Sequence, residues 1–307
     1  MIAFERDAVQ PPTTATPTPT ATPPPTVTPT PNGVATTTPT ATPPPGGVDA
    51  YRCYAERLTK GSAKFVPVPS VHVVDDFEDI LIQLKKPKAL CAPITPANDA
   101  ATALEQYVTK PVKQQPKFVK QTNLQIENQL GTVVLDVTKA ESLMVPTATS
   151  SVSSPSPPDL GQHLVDHYQC YKTKISKGRP KFPRTLEITV GDALTNAPRR
   201  YFVKKPRVLC APANTDGGGT DHARYQLCYV VKLAKARCSD VAPLNAGASC
   251  KDEAACGGTK KLTTFCERQT KLAGVSGIFT ADQFEAARVD ARKATDLCLP
   301  SDRIVAQ

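Results

Sequence analysis

Ten cysteines, one basic run interleaved with aromatic rings, a knot of carboxylates and four histidines are the side chains of this 307-residue chain with chemistry to offer. The cysteines are even in number and include no C-x-x-C pair of the kind that gives zinc two neighbouring ligands, so disulfides are the reading. The basic run is Arg199, Arg200, Tyr201, Phe202, Val203, Lys204, Lys205, Pro206, Arg207. Its five bases could grip phosphate or uronate groups while a ring such as Tyr201 stacks on a base or a sugar. The competing reading is a strand whose charges face water and discourage edge pairing. Lys85, Lys86 and Lys88 stand at the corresponding place of an earlier segment, which favours the second.

The other polar groups fall short of a motif. Asp75, Asp76, Glu78 and Asp79 could do acid and base work or hold calcium, but adjoining carboxylates on a turn are ordinarily just solvated. Asn214 to Asp221 (NTDGGGTD) brings oxygen ligands to a flexible loop, yet lacks the closing Glu of an EF-hand and the Lys of a phosphate-binding loop. His72, His163, His167 and His222 form no H-E-x-x-H, and Gly274-Val275-Ser276-Gly277 stops short of a nucleophile elbow. No catalytic residue, metal or cofactor is therefore assigned, and the chain is not expected to be an enzyme.

The elements that must position these groups recur four times. Each segment opens on a Tyr with a base three residues on: Tyr54 and Arg57, Tyr107 and Lys110, Tyr171 and Lys174, Tyr229 and Lys232. Each closes on Lys, Leu, a Cys-like position and Pro: Lys86, Leu90, Cys91, Pro93; Lys139, Leu143, Met144, Pro146; Lys205, Leu209, Cys210, Pro212; Lys293, Leu297, Cys298, Pro300. Between them an Asx residue precedes an apolar one by two: Asp75 and Phe77, Asn128 and Leu130, Asp192 and Leu194, Asp282 and Phe284. Asx side chains bond their own backbone in turns. Short β-branched runs such as Val71 to Val74, Val133 to Val137 and Leu186 to Val190 read as strands. Ala281 to Lys293 has helical periodicity, but its place in the repeat predicts turn then strand. Residues that recur in every segment point to a shared fold, because a reaction centre needs its groups once.

The second segment has Gln106 where the first has Cys53, and Met144 where the first has Cys91. Both sulfurs are missing together, which predicts that they are partners within a segment: Cys53 with Cys91, Cys170 with Cys210, Cys228 with Cys298. Cys238, Cys250, Cys256 and Cys266 lie in an insertion at about 236–270, where three connectivities are open. Zinc is the alternative there, poorly served by the spacing. As the one element present once, the insertion is either a decorated loop or the seat of a unique function.

Disulfides persist in oxidising compartments, so the mature protein is expected to be secreted, periplasmic or on the cell surface. Met1 to Asp7 shows no secretory signal, which this reading requires to lie elsewhere. No apolar run is long enough for a transmembrane helix. Residues 11–46 alternate Thr and Pro and predict an extended, disordered stalk within residues 1–49. Residues 50–149 form repeat pair 1, 150–159 a Ser/Pro linker and 160–307 repeat pair 2. Net charge is +9, and residues 159 onward carry 24 bases against 15 acids, so the excess lies in the second half. An acidic polymer is the partner that suggests.

The stretches Asp166-His167-Tyr168-Gln169-Cys170-Tyr171-Lys172, Leu143-Met144-Val145-Pro146-Thr147, Val203-Lys204-Lys205-Pro206 with Leu209-Cys210-Ala211-Pro212, and Ala281-Asp282-Gln283-Phe284 carry a resemblance. The chain resembles an uncharacterised family of Cys-containing tandem repeats in predicted secreted proteins of environmental bacteria, over about residues 50 to 300. The family implies fold and compartment but no activity. In it too the second copy of a pair tends to lack both cysteines; Gly191-Asp192-Ala193-Leu194 departs from its usual Asp-Gln-Phe turn.

The expectation is an all-β fold of four repeats in two pseudo-symmetric pairs, with a disulfide-rich insertion in the last. Its expected role is a non-catalytic structural or adhesive module whose partner is an envelope polysaccharide or a surface protein, with nucleic acid disfavoured. The alternative is a carbohydrate- or polyanion-binding protein using 199–207; a secreted hydrolase comes third.

Overall fold

The computed structural model describes residues 47–159, 165–183, 186–195, 198–216, 222–234, 236–259 and 265–305. The Thr/Pro stretch and His163 lie outside them. The described chain is all β, with a 3₁₀ turn at Glu253–Cys256 and no α-helix. Among the described residues no helix is long and apolar enough to cross a membrane. The strands run β1 (Tyr51–Leu58), β2 (Val68–Val74), β3 (Asp79–Thr95), β4 (Thr102–Pro111), β5 (Gln121–Asn128), β6 (Gly131–Ser150), β7 (His167–Ile175), β8 (Glu187–Asp192), β9 (Arg199–Thr215), β10 (Tyr225–Leu233), β11 (Ala236–Cys238), β12 (Cys266–Arg268), β13 (Val275–Ala281) and β14 (Ala286–Ile304). They form where apolar and polar residues alternate: Ile80, Ile82 and Leu84 of β3 are buried while Asp79, Leu81 and Gln83 are less so. The strand over Ala286–Ile304 replaces the helical periodicity at 281–293, and burial of Val289, Ala291 and Ala294 explains why packing overrides propensity there.

Eight strands close on themselves. β1 pairs with β3, β3 with β4, β4 with β6, β6 with β7, β7 with β9, β9 with β10, β10 with β14, and β14 returns to β1, all antiparallel. Closure removes the free edges of an open sheet. Cys53, Cys91, Leu104, Met144, Cys170, Cys210, Cys228 and Cys298 bring one buried side chain from each of the eight strands into a single cluster, the inside of the ring. Cys53 opposes Cys91, Cys170 opposes Cys210 and Cys228 opposes Cys298 in register. Each opposed pair is a disulfide, with Cα atoms 3.8, 3.9 and 3.9 Å apart. At the remaining opposed position Gln106 faces Met144. Gln106 Nε2 donates to Ser142 Oγ at 2.8 Å, so its buried amide has an acceptor.

The short strands make an outer layer. β2, β5, β8 and β13 each pair with the long strand that follows or precedes them in the same hairpin, namely β3, β6, β9 and β14. Each then pairs with a long strand from the other half of the chain: β2 with β9, β5 with β14, β8 with β3, β13 with β6. Residues 50–149 and 165–304, expected as two separate repeat pairs, are therefore interleaved. The reason is the outward row of the ring: Tyr54, Leu90, Tyr171, Leu209, Tyr229 and Leu297 share one apolar cluster with residues of β5, β8 and β13. A lone hairpin cannot cover such a row. The boundary at 49 also moves, since Val48 and Asp49 are buried and Asp49 accepts from the backbone of Asn98 and Asp99. Ser150 still pairs with Phe279, so the Ser/Pro connection starts after it.

Candidate functional site

The recurrent tyrosines are used inside the fold. Each opening strand buries its Tyr on the outer face of the ring, beside the inward-facing sulfur position. Tyr54 OH donates to Asp192, Tyr107 OH to Asp282 at 2.6 Å and Tyr171 OH to Asp75 at 2.6 Å. Tyr229 OH accepts from Asn128 Nδ2 at 3.0 Å. Each Asx residue also closes its own turn: Asp75 Oδ1 accepts from Phe77 N and Glu78 N, and Asn128, Asp192 and Asp282 do the same for Leu130, Leu194 and Phe284. Burial pushes the Tyr54, Tyr107 and Tyr171 hydroxyls far up and that of Tyr229 up to about 12, which keeps them protonated. Arg52 adds a buried ion pair with Asp192, and its guanidinium lies 5.2 Å from the Tyr201 ring centroid.

A second set of rings was not legible as functional in the sequence. Phe65 packs on Tyr107 at 5.3 Å, Phe118 on Tyr171 at 5.1 Å and Phe182 on Tyr229 at 5.1 Å, within the range of favourable aromatic pairs. The signal was present: Phe65, Phe118 and Phe182 each follow Tyr54, Tyr107 and Tyr171 by eleven residues and each follows a Lys.

The basic run lies on β9, and period-two alternation divides it. Tyr201 is only 2 % exposed and points into the Arg52–Asp192 site, so it is unable to stack on an external sugar. Phe202 takes the opposite face of β9, with Lys204 Nζ 4.5 Å from its ring centroid. Arg199 donates to the Thr270 carbonyl at 2.8 Å, and Arg200 pairs with Glu187 at 3.5 Å and reaches the Glu267 carbonyl. Gln269 bonds the backbone of Arg200 in both directions. These contacts dock the insertion onto β9. Arg207 pairs with buried Asp296 at 3.2 Å, and Lys205 is exposed. The five bases and Tyr201 thus stand on one strand but do not converge on one point.

The insertion resolves to Cys238–Cys256 and Cys250–Cys266, with β11 and β12 paired beside them. Cys238, Cys250 and Cys256 have neighbouring sulfurs because the two bridges run side by side, and oxidised sulfur offers zinc no thiolate. Between the insertion and the sheet lies an open cleft of about 260 Å³ lined by Phe202, Lys204, Lys232, Leu233, Ser249 and Cys250. Two ammonium groups, one ring and an apolar floor could receive one carboxylated or sulfated sugar.

Several of the remaining polar candidates have partners in the fold. Asp76 accepts from Tyr225 OH, and Asp79 meets His72 Nε2 at 2.6 Å. His222 Nδ1 meets Asp166 at 3.1 Å. Asp216 accepts from His72 N at 2.9 Å, while 217–221 lie outside the described residues. No family model, curated protein or solved structure matches the chain.

Proposed function

We propose that the chain is a non-catalytic, extracytoplasmic structural or adhesive module, built as four copies of one unit and presenting the disulfide insertion. The observation that carries this reading is that the tyrosine and the Asx residue recurring in all four segments are engaged in holding the fold, Tyr against Asx across the molecule. Three in-ring disulfides fit an oxidising compartment. The test is retention of oxidised protein on cell envelopes at physiological salt, before and after protease treatment of the envelopes. Retention lost with the envelope proteins identifies a protein partner, retention that persists identifies a polymer, and no retention removes the adhesive role.

A second reading rests on the cleft. Phe202, Lys204 and Lys232 would take an acidic polysaccharide, with Phe202 rather than Tyr201 as the stacking ring. Phe202→Ala and Lys232→Glu are expected to abolish co-sedimentation with polygalacturonate; binding unchanged in both variants defeats this reading.

A further inference from the structure

The four places where a tyrosine meets a turn share a backbone but not a charge. At Tyr54, Arg52 neutralises Asp192. At Tyr171 the residue two places before the tyrosine is the neutral Gln169, and at Tyr229 the turn residue is Asn128. Tyr107 is different. Its hydroxyl lies 2.6 Å from Asp282 and 3.2 Å from Glu285, both on the β13–β14 turn. Glu105 of β4 and Glu56 of β1 complete a group of four carboxyls from three elements, with Glu105 fully buried and Asp282 4 % exposed. Among the described residues no base pairs with any of them; His167 reaches the turn, but its Nε2 meets the Gln283 side chain at 3.2 Å.

All four carboxyl oxygens of Glu56 and Glu105 are buried without a hydrogen-bond partner, and each carboxyl acts on the other's proton affinity. Neighbouring buried carboxyls that both ionise repel where little water screens them, so they stay seated only while a proton remains on one of them. The oxygens are not gathered as a cation cage, since no three of them come within 4.8 Å of one another. We propose that this cluster is a proton-held latch: the β13–β14 turn stays seated on β4 while the Glu56–Glu105 pair keeps a proton, and lifts when the pair ionises. Burial drives Glu56 up to about 8 and Glu285 up to about 7, and moves Glu105 and Asp282 in the same direction. In an unfolded chain these groups titrate near about 4. Between that pH and about 8 the unfolded state loses protons that the folded state retains, so stability is full in acid and falls as pH rises.

The experiment is amide hydrogen exchange of Phe284 and Glu285, whose N–H groups donate to Asp282 Oδ1 at 2.7 and 3.1 Å. Leu194 and Thr195, in the turn that Arg52 neutralises, are the internal control. After correction for intrinsic exchange, protection at Phe284 and Glu285 is expected to drop at least about tenfold from pH about 5 to about 8, with the control unchanged. Glu105→Gln removes the dependence; if that variant does not fold, Glu56→Gln reads the same pair. Equal protection at both pH values overturns the latch, as does recovery at high pH on adding calcium, which would make the cluster a cation site.

Discussion

At the scale of single residues, the chain places its recurrent tyrosines in buried contacts. Arg52 shows what one such contact is worth. Its guanidinium and Asp192 are both essentially unexposed, so Arg52→Leu strands a buried carboxylate and is expected to cost about 3–5 kcal/mol in urea unfolding. Tyr171 acts more subtly. Burial raises Asp75 to about 6, and the Tyr171 hydroxyl works against that rise. Tyr171→Phe is expected to push Asp75 above about 6, read by carboxyl NMR titration; an unchanged value would mean the hydroxyl does not bear on it. The Asx turns were legible because an Asx residue bonds backbone only two or three positions away. The partner of each tyrosine was not, since it lies in the other half of the chain and local spacing carries no record of it. Tyr201 could have been placed correctly: Tyr201 and Val203 share the buried face of β9, and alternation assigns Phe202 to the other.

At the scale of elements, opposed positions in the ring behave as interchangeable slots. Gln106 and Met144 oppose each other as Cys53 and Cys91 do. Gln106→Cys with Met144→Cys is therefore expected to form an additional bridge, seen as protection from alkylation without reductant. Closing a loop of 38 residues, as Cys53–Cys91 does, is worth about 4 kcal/mol in the chain-entropy account. Replacing Ser142, which loses its bond from Gln106, by Ala should recover part of any shortfall. The three ring pairings were readable from the simultaneous loss of both sulfurs in one segment. The insertion's pairing was not, because that element occurs once and offers no second copy in which to see which positions change together.

At the scale of the whole molecule, the ring makes the two halves one unit. The boundary near 150 was drawn from composition, and composition marks where the chain is exposed, not where cores divide. β1 borrows β14, and β13 borrows β6, across that boundary. The fragment 50–149 alone is thus expected to stay unfolded by far-UV circular dichroism, and the ring to melt in one transition; independent folding of the fragment would show that the interleaving is not required. The pairing of Tyr51 with Cys298 has one more consequence. A closed circuit of strands has no intrinsic first or last member, and β1 and β14, first and last in chain order, are neighbours in it. Joining residue 48 to residue 305 through a short flexible tether, without residues 1–46, and opening the chain within the exposed Ser/Pro connection would give a circular permutant with the same wiring, in which β14 and β1 become a hairpin.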